Sequence, residues 1–402
     1  MKILVVCQYY YPEPFRISDL CEELARRGHE VTVVTGEPNY PEGKLYPGFE
    51  KHQHADETIG GVRIHRCPIV PRKTGVFYRF LNYFSFPLSA GRYLRGRNAD
   101  YDVIFVNQLS PVMMAEPAIT LKNSAHIPVV MYCLDLWPVS LTAGGVKKSS
   151  PLYRLFWRIS RRIYRAMDRI LVTSRMFSEY LEEQFSIPVE RLAYLPQYAE
   201  QLFETIPPHE ETGQTVFLFA GNIGAVQSVD TILRAAERLK GENIRIHIVG
   251  GGTDLERLEK LSEEKGLDNV RFFGRRPLEE MPSFYAEADA MLLTLRAEEA
   301  LSMTLPGKLQ SYMAAGKPVI GAIDGEAERV IAASGCGLCG RAEDDKALAE
   351  NMLRFMKSEE KKTMGARARL WYEQHFAQDR FMDELERELE SAALKGRNRD
   401  NG

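Results

Sequence analysis

Short apolar runs alternate with longer stretches in which apolar positions recur every three or four residues, and the alternation begins at the second residue. Residues 3–7 (Ile-Leu-Val-Val-Cys) precede a helical pattern over 15–27, and further runs stand at 31–35, 62–66, 103–106, 129–133 and 169–172. Strand-like runs separated by helix-period segments predict parallel sheets joined by crossover helices. After Pro207-Pro208 the same order restarts at 216–220, 244–249, 270–273 and 290–293. The pattern therefore predicts an α/β chain of two doubly wound, Rossmann-like domains that face each other. An N-terminal domain is expected over 1–206 and a C-terminal domain over 207–378, entered through the Pro/Glu/Gly-rich linker 207–213. A charged helix from about 379 to 395 is expected to pack back on the N-terminal domain, followed by a polar, frayed tail over 396–402.

In doubly wound sheets ligands bind beyond the carboxyl ends of the strands, so the loops that follow strands carry the candidate chemistry. The most informative of them runs Leu305-Pro306-Gly307-Lys308-Leu309-Gln310-Ser311-Tyr312-Met313-Ala314-Ala315-Gly316-Lys317-Pro318. Pro306 suits a first helical position and Gly307 leaves the backbone approachable, so free amides and Lys308 are placed to meet a phosphate. Gly316 ends the helix before a buried strand at 318–320. The same residues also suit an ordinary helix-to-strand corner with one solvated lysine. Two glycine loops follow strands in the same half: Gly221-Asn222-Ile223-Gly224-Ala225-Val226-Gln227-Ser228 and Gly250-Gly251-Gly252-Thr253-Asp254. Each fits either amides turned toward an anion or a tight turn. Three consecutive glycines break the dinucleotide fingerprint spacing, which disfavours a nicotinamide cofactor.

Composition narrows the classes. The 402 residues carry a net charge of -3, which hides 25 Lys/Arg against 20 Asp/Glu in residues 1–200 and 27 against 35 in the remainder. The N-terminal half is thus the one expected to meet an anionic surface or acceptor. Two of its segments are basic, aromatic and free of acid. Lys73, Arg79, Arg92 and Arg95 stand among Phe77, Tyr78, Phe80, Tyr83, Phe84, Phe86 and Tyr93 within 72–97, and Arg154, Arg158, Arg161 and Arg162 beside Tyr153, Phe156 and Trp157 within 147–165. That mixture suits helices lying on an anionic membrane surface, and equally core-packed helices with solvated arginines. The slightly negative overall charge argues against nucleic acid. No apolar run approaches a membrane span and the N-terminus lacks a signal-peptide pattern, so the expected place is the cytoplasm, peripheral at the inner face of the membrane. Cys7, Cys21, Cys67, Cys133, Cys336 and Cys339 are scattered. Only Cys336-Gly-Leu-Cys339 has zinc or redox spacing, without a second pair, and no metal or cofactor is expected.

The loops and the Pro306-Gly307-Lys308 corner resemble the C-terminal half of retaining glycosyltransferases of family 4, which have the two-domain GT-B fold. The resemblance covers nearly the whole chain. Gln8-Tyr9-Tyr10-Tyr11-Pro12-Glu13-Pro14, the run 24–35, Pro38-Asn39-Tyr40-Pro41, Tyr46-Pro47-Gly48-Phe49 and Asp135-Leu136-Trp137-Pro138 are similar to motifs of bacterial surface-polysaccharide members. The resemblance implies a nucleoside-diphosphate sugar, UDP-linked, held mainly by the C-terminal domain, and a polyprenyl-diphosphate-linked saccharide acceptor approaching from the N-terminal domain. It implies donor contacts from Gly221, Asn222, Gly224 and Gln227 near the diphosphate, from Gly250 and Gly251 near the nucleotide, and from Arg275 and Arg276 beside the base. Arg296, Pro306, Gly307, Lys308 and Ser311 complete the donor set, with Lys308 and helix-start amides stabilising the departing diphosphate without a metal.

Three departures from the family pattern stand out. Asn222 and Gln227 occupy positions where many members have Arg and Lys, so charge stabilisation falls on Lys308 with Arg296. The family's two glutamates map onto Met303 and Ser311, and a histidine before the mid-domain aspartate is Leu134. Asp135 remains the candidate proton or hydrogen-bond acceptor for the acceptor hydroxyl, beside the alternative that it only caps backbone amides. Glu13 and Arg16 are the other acceptor-side candidates. A nucleotide-sugar epimerase and a catalytically silent nucleotide-sugar-binding subunit are the rival readings.

Overall fold

The computed structural model of the chain describes residues 1–50, 52–72, 75–96, 100–208 and 213–400, of which 76, 77 and 398–400 are described by their backbone. Lys73, Arg97, the side chain of Phe77, linker positions 209–212 and tail residues 401–402 lie outside that description. The chain forms two compact units, Met1–Leu195 with Met382–Gly402, and Pro196–Phe381.

The first unit is built on β1 (Lys2–Val6), β2 (Glu30–Gly36), β3 (Asp56–Ile59), β4 (Val62–Cys67), β5 (Val103–Gln108), β6 (Val129–Cys133), β7 (Arg169–Val172) and β8 (Leu192–Tyr194). Their order across the sheet is β3-β4-β2-β1-β5-β6-β7-β8. All neighbours are parallel except the edge pair β3 and β4. Strands β5 and β6 read Val-Ile-Phe-Val-Asn-Gln and Val-Val-Met-Tyr-Cys and are buried throughout, as befits central strands covered on both faces.

The second unit holds β9 (Thr215–Ala220), β10 (Ile244–Val249), β11 (Val270–Gly274), β12 (Ala290–Thr294), β13 (Val319–Ala322) and β14 (Gly337–Gly340), ordered β11-β10-β9-β12-β13-β14 and parallel throughout. The chain winds outward from β9 to one edge, returns, and winds outward from β12 to the other, so the switch point lies between the ends of β9 and β12. Alternate residues of β9 feed two cores: Leu218 and Ala220 enter one, Phe217 and Phe219 the other. Each such Leu or Phe side chain contributes roughly 1.5–3 kcal/mol by leaving water, and together they hold the end of β9 in place.

Several boundaries differ from the sequence reading, each for a visible reason. The division falls between Leu195 and Pro196 rather than at 206, because Ala199 and Phe203 are buried in the second core well before the prolines. Strands β3, β8 and β14 were not expected, being three or four residues long and polar or glycine-bearing. The last helix runs Gln378–Asp400, so residues 396–400 are helical instead of frayed. From Met382 onward that helix belongs to the first unit, where Arg27 meets Asp383 and Glu386 (2.6 and 3.0 Å) and Arg169 grips both oxygens of Glu388 (2.6 and 2.8 Å).

Candidate functional site

Three loops stack along the carboxyl edge of β9, β10 and β11, main chain on main chain. The Gly250 amide donates to the Gly274 carbonyl (2.9 Å), the Ile223 amide to the Gly251 carbonyl (2.9 Å), and the Asp254 amide to the Ile223 carbonyl (3.1 Å). A Cβ at Gly250, whose φ is +151°, would lie 1.8 Å from the Gly221 carbonyl oxygen, and one at Gly252 would lie 2.2 Å from that of Ile223. These glycines are therefore required by loop-on-loop contact, whatever else they do. Gly251 lies against the Arg275 stem, a Cβ there falling 3.3 Å from Arg275 Cβ. Arg275 and Arg276 are exposed, and Arg276 Nε donates to the Phe273 carbonyl (3.1 Å).

The loop after β9 is closed by Gln227. Its Oε1 accepts from Asn222 Nδ2 (3.1 Å) and from the Gly224 amide (3.1 Å), while its carbonyl accepts from Thr294 Oγ1 (2.6 Å) at the end of β12. Asn222 and Gln227 are thus bonded to each other. The Arg296 amide ties the β12 loop to the Val226 carbonyl (3.0 Å), and the Arg296 side chain is exposed.

The helix Gly307–Ala314 begins beside these loops. Pro306 is its N-cap residue, with extended backbone (φ -68°, ψ 130°), so Gly307 rather than Pro306 takes the first helical position. No side chain caps the helix, which leaves its first amides without side-chain acceptors. Gly307 is exposed and has open space where a Cβ would stand. Lys308 is half-exposed along its stem, yet its ammonium is enclosed. Nζ lies 4.1 Å from the centroid of the Phe219 ring, within 3.0 Å of where a Cβ at Gly221 would be, and has no hydrogen-bond partner. Burial pushes its pKa down to about 7. A desolvated cation facing an aromatic ring, with all three donors unspent, is a strong site for an incoming anion.

One turn further along, Ser311 is buried, and its Oγ lies 3.4 Å from both the Gly307 carbonyl and Glu200 Oε2. The Tyr312 hydroxyl, beneath them, donates to the Ala220 carbonyl (3.1 Å), pinning the helix to the end of β9.

In the first unit Asp135 follows β6. Its Oδ2 accepts from Trp137 Nε1 (3.0 Å) and Ser140 Oγ (3.3 Å), and burial raises its pKa against the pull of those bonds and of Arg72. Glu13 is buried with both oxygens engaged: Oε1 accepts from the amides of Asn39 (2.8 Å) and Tyr40 (2.7 Å), Oε2 from that of Tyr10 (3.2 Å). Burial lifts its pKa to about 7, although those amides and Arg66 favour the charged form. Arg16 is half-buried and caps the helix Ile17–Arg26. Glu13 therefore clasps two loops, and Arg16 stands at a helix start.

The sequence profile of glycosyl transferases group 1 matches residues 203–371, and that of the glycosyl transferase 4-like domain matches residues 15–197. WbjE of Pseudomonas aeruginosa, named as a glycosyltransferase, is 30% identical over 287 residues, 68% of this chain and 69% of that protein. The chain belongs to the family 4 glycosyltransferases. WcaI of Escherichia coli (strain K12), named as a glycosyl transferase of colanic acid biosynthesis, is 26% identical over 79% of this chain and 82% of its own. Among solved structures, Anabaena Alr3699/HepE in complex with UDP superposes with a TM-score of 0.70 at 14% identity, covering 97% of this chain and 100% of that one. The glycosyltransferase therefore has the GT-B fold, and its family sets the epimerase reading aside.

The enzyme's remaining sequence candidates divide by their surroundings. Cys336 and Cys339 are free thiols raised by burial to about 11 and about 12, and Cys339 Sγ lies 3.4 Å from the Ile323 carbonyl. Among the described residues no group of His, Cys, Asp and Glu is arranged to hold a metal ion, and no helix is long and apolar enough to cross a membrane. The basic helices Val76–Leu94 and Pro151–Ala166 pack many aromatics inward: Trp137 stands edge-on to Tyr83 (5.6 Å) and Phe156 (5.4 Å), while Tyr93 stacks on His65. Tyr78, Phe80, Leu88, Leu152 and Leu155 remain exposed. Two site features escaped the sequence reading, the Phe219 ring under Lys308 and the Glu200 carboxylate at Ser311. Neither has a motif, since each meets its partner only through the fold.

Proposed function

We propose that this glycosyltransferase moves a sugar, with retention at the anomeric carbon, from a UDP-linked donor to a polyprenyl-diphosphate-linked saccharide during surface-polysaccharide assembly. The observation that carries this reading is the enclosed, unpartnered ammonium of Lys308 at an uncapped helix start, beside the main chain of Gly221. When the bond between the anomeric carbon and the phosphate oxygen breaks, charge grows on that oxygen. The Lys308 donors and the amides of Gly307 and Lys308 are placed to stabilise it. The second unit, 207–378 with the segment from Pro196, takes the donor, with Gly221, Gly251, Arg275, Arg276 and Arg296 around the nucleotide and diphosphate. Asn222, Gly224 and Gln227 keep the loop in shape.

The first unit takes the acceptor. Asp135, the buried carboxylate next to Trp137, accepts the hydrogen bond or the proton of the attacking hydroxyl. HepE, solved with UDP and with UDP and glucose, supports a uridine donor, and the name of WcaI supports polysaccharide assembly. Exposed Leu152 and Leu155 beside Arg154 and Arg158 support attachment at the inner face of an anionic membrane, where a lipid-linked acceptor resides.

Incubating the purified enzyme with a panel of nucleotide sugars and lipid-linked acceptors tests the proposal. Release of nucleoside diphosphate with a lengthened acceptor is expected, falling by about 100-fold in Lys308→Ala, the usual cost of losing one preorganised donor. Nucleotide binding without turnover on any acceptor overturns it in favour of a silent subunit.

A further inference from the structure

Position 311, where the family resemblance calls for an acid, holds a serine, yet a carboxylate is present there. Glu200, 111 residues earlier in the chain, brings Oε2 to 3.4 Å from Ser311 Oγ. The segment bearing it is fixed on the second unit. Ala199 and Phe203 are buried in its core, Phe203 stacks on Tyr285 (4.6 Å, 21°), the Glu204 carbonyl accepts from Arg369 (2.8 Å), and Glu204 Oε1 accepts from the Tyr372 hydroxyl (2.8 Å). Glu200 also faces Tyr285, whose phenol it helps to raise. Ser311 in turn sits one helical turn from Gly307 and Lys308, a rise of about 5 Å.

The charges on this face are not paired with each other. Lys308 Nζ makes no hydrogen bond, so Glu200 is not its counter-ion. A carboxylate that close to a bound diphosphate would be repelled by it and has no donor to offer it. What it matches is a hydroxyl pair, which its two oxygens can accept from together, as acids do with ribose hydroxyls in other doubly wound nucleotide domains. We propose that Glu200 supplies the acid missing at position 311 and binds the ribose hydroxyls of the donor nucleotide, held in position by Ser311. The inference rests on the nucleotide-sugar reading above.

Calorimetric binding of UDP and of 2′,3′-dideoxy-UDP to the full-length chain tests it. Wild type is expected to prefer UDP at least tenfold, since each hydrogen bond to a charged group is worth about one order of magnitude. Glu200→Ala should bring that ratio to within about threefold by weakening UDP alone. Glu200→Gln, of the same size, gives the same readout if the alanine variant does not fold. Lys308→Ala should weaken both ligands together and keep the ratio, and adding Ser311→Glu to Glu200→Ala should restore it. A wild-type ratio retained in both Glu200 variants, or equal weakening of both ligands, overturns the role of Glu200 alone. A wild type that binds neither ligand overturns the nucleotide reading with it.

Discussion

Lys308 Nζ stands 4.1 Å from the centre of the Phe219 ring, so the strand that enters the sheet's switch point also carries the aromatic face beneath the site's cation. Burial alone lowers this lysine to about 7 from 10.5, and the unfolded chain therefore binds more protons than the folded one between those values. Stability of the free enzyme should rise as pH goes from about 7 to about 10.5, and Lys308→Met should flatten that rise. A diphosphate arriving beside Nζ favours the charged form, so binding near pH 8 should take up close to one proton. Calorimetry of UDP in buffers of different ionisation enthalpy reads that number directly. Equal heats in all buffers would show that the lysine is not at the phosphate.

Gly250 and Gly307 lie at the same edge of the sheet and should respond oppositely to alanine. At Gly250 the new Cβ would collide with the Gly221 carbonyl at 1.8 Å, with φ at +151°. Loop-on-loop contact cannot yield there without parting two strands, so Gly250→Ala should cost about 2–4 kcal/mol, as backbone strain and overpacking combine. At Gly307 nothing lies within 4 Å of the added atom. Gly307→Ala should leave the melting temperature unchanged or slightly higher, because Ala is the better helix former. Its donor affinity should fall nonetheless, because the added methyl covers the amides at the helix start. Thermal melts with UDP titrations on both variants separate the two effects.

Legibility in the sequence followed the range of the interactions. Long apolar runs such as those of β5 and β10 announce strands because burial on both faces removes polar choices, and the Pro306-Gly307-Lys308 corner is a local arrangement that a window of ten residues contains. Contacts between distant residues were not legible. Nothing near Ser311 in sequence hints at Glu200, and nothing near Lys308 hints at Phe219. Asn222 and Gln227 were read as ligand contacts because position alone was visible, whereas the structure bonds them to each other. The terminal helix was cut short at Gly396 because glycine usually ends helices. It continues because Gly396 rests on Pro128, where a Cβ would meet the ring at 2.9 Å, and Arg397 reaches Asp102.

Glu13 offers a test of structure rather than of catalysis. Its folded pKa of about 7 is above the ordinary 4.5, so its contribution is fully present below about pH 4.5 and is lost as pH rises through 7. Wild-type stability should decline across that window by up to about 3 kcal/mol, from a shift of about 2.5 units. In Glu13→Gln one oxygen still accepts from Asn39 and Tyr40, while the amide group turned toward the Tyr10 N–H costs about 1 kcal/mol. The variant should be less stable than wild type at pH 5, and the gap should shrink toward pH 7. Urea unfolding at four pH values measures it, and a gap that stays constant would falsify the assignment of that titration to Glu13.

Leu152 and Leu155 lie on the exposed side of the helix Pro151–Ala166, next to the exposed arginines Arg154 and Arg158, while Tyr153 and Phe156 turn inward. The buried positions keep the helix on the first unit without help from the two leucines, so replacing both should not disturb the fold. If the outer side rests on a membrane, each leucine adds the apolar term and each arginine about 1 kcal/mol of attraction to an anionic surface. Leu152→Glu with Leu155→Glu should then weaken binding to vesicles containing anionic lipid by at least tenfold, with the melting temperature and UDP affinity unchanged. Arg154→Ala with Arg158→Ala should weaken it less at high salt than at low salt, because screening has already removed most of the charge term. Co-sedimentation at two salt concentrations decides the matter. Undiminished binding of the leucine variant would move the membrane contact away from this helix, to Tyr78, Phe80 and Leu88 on the helix Val76–Leu94.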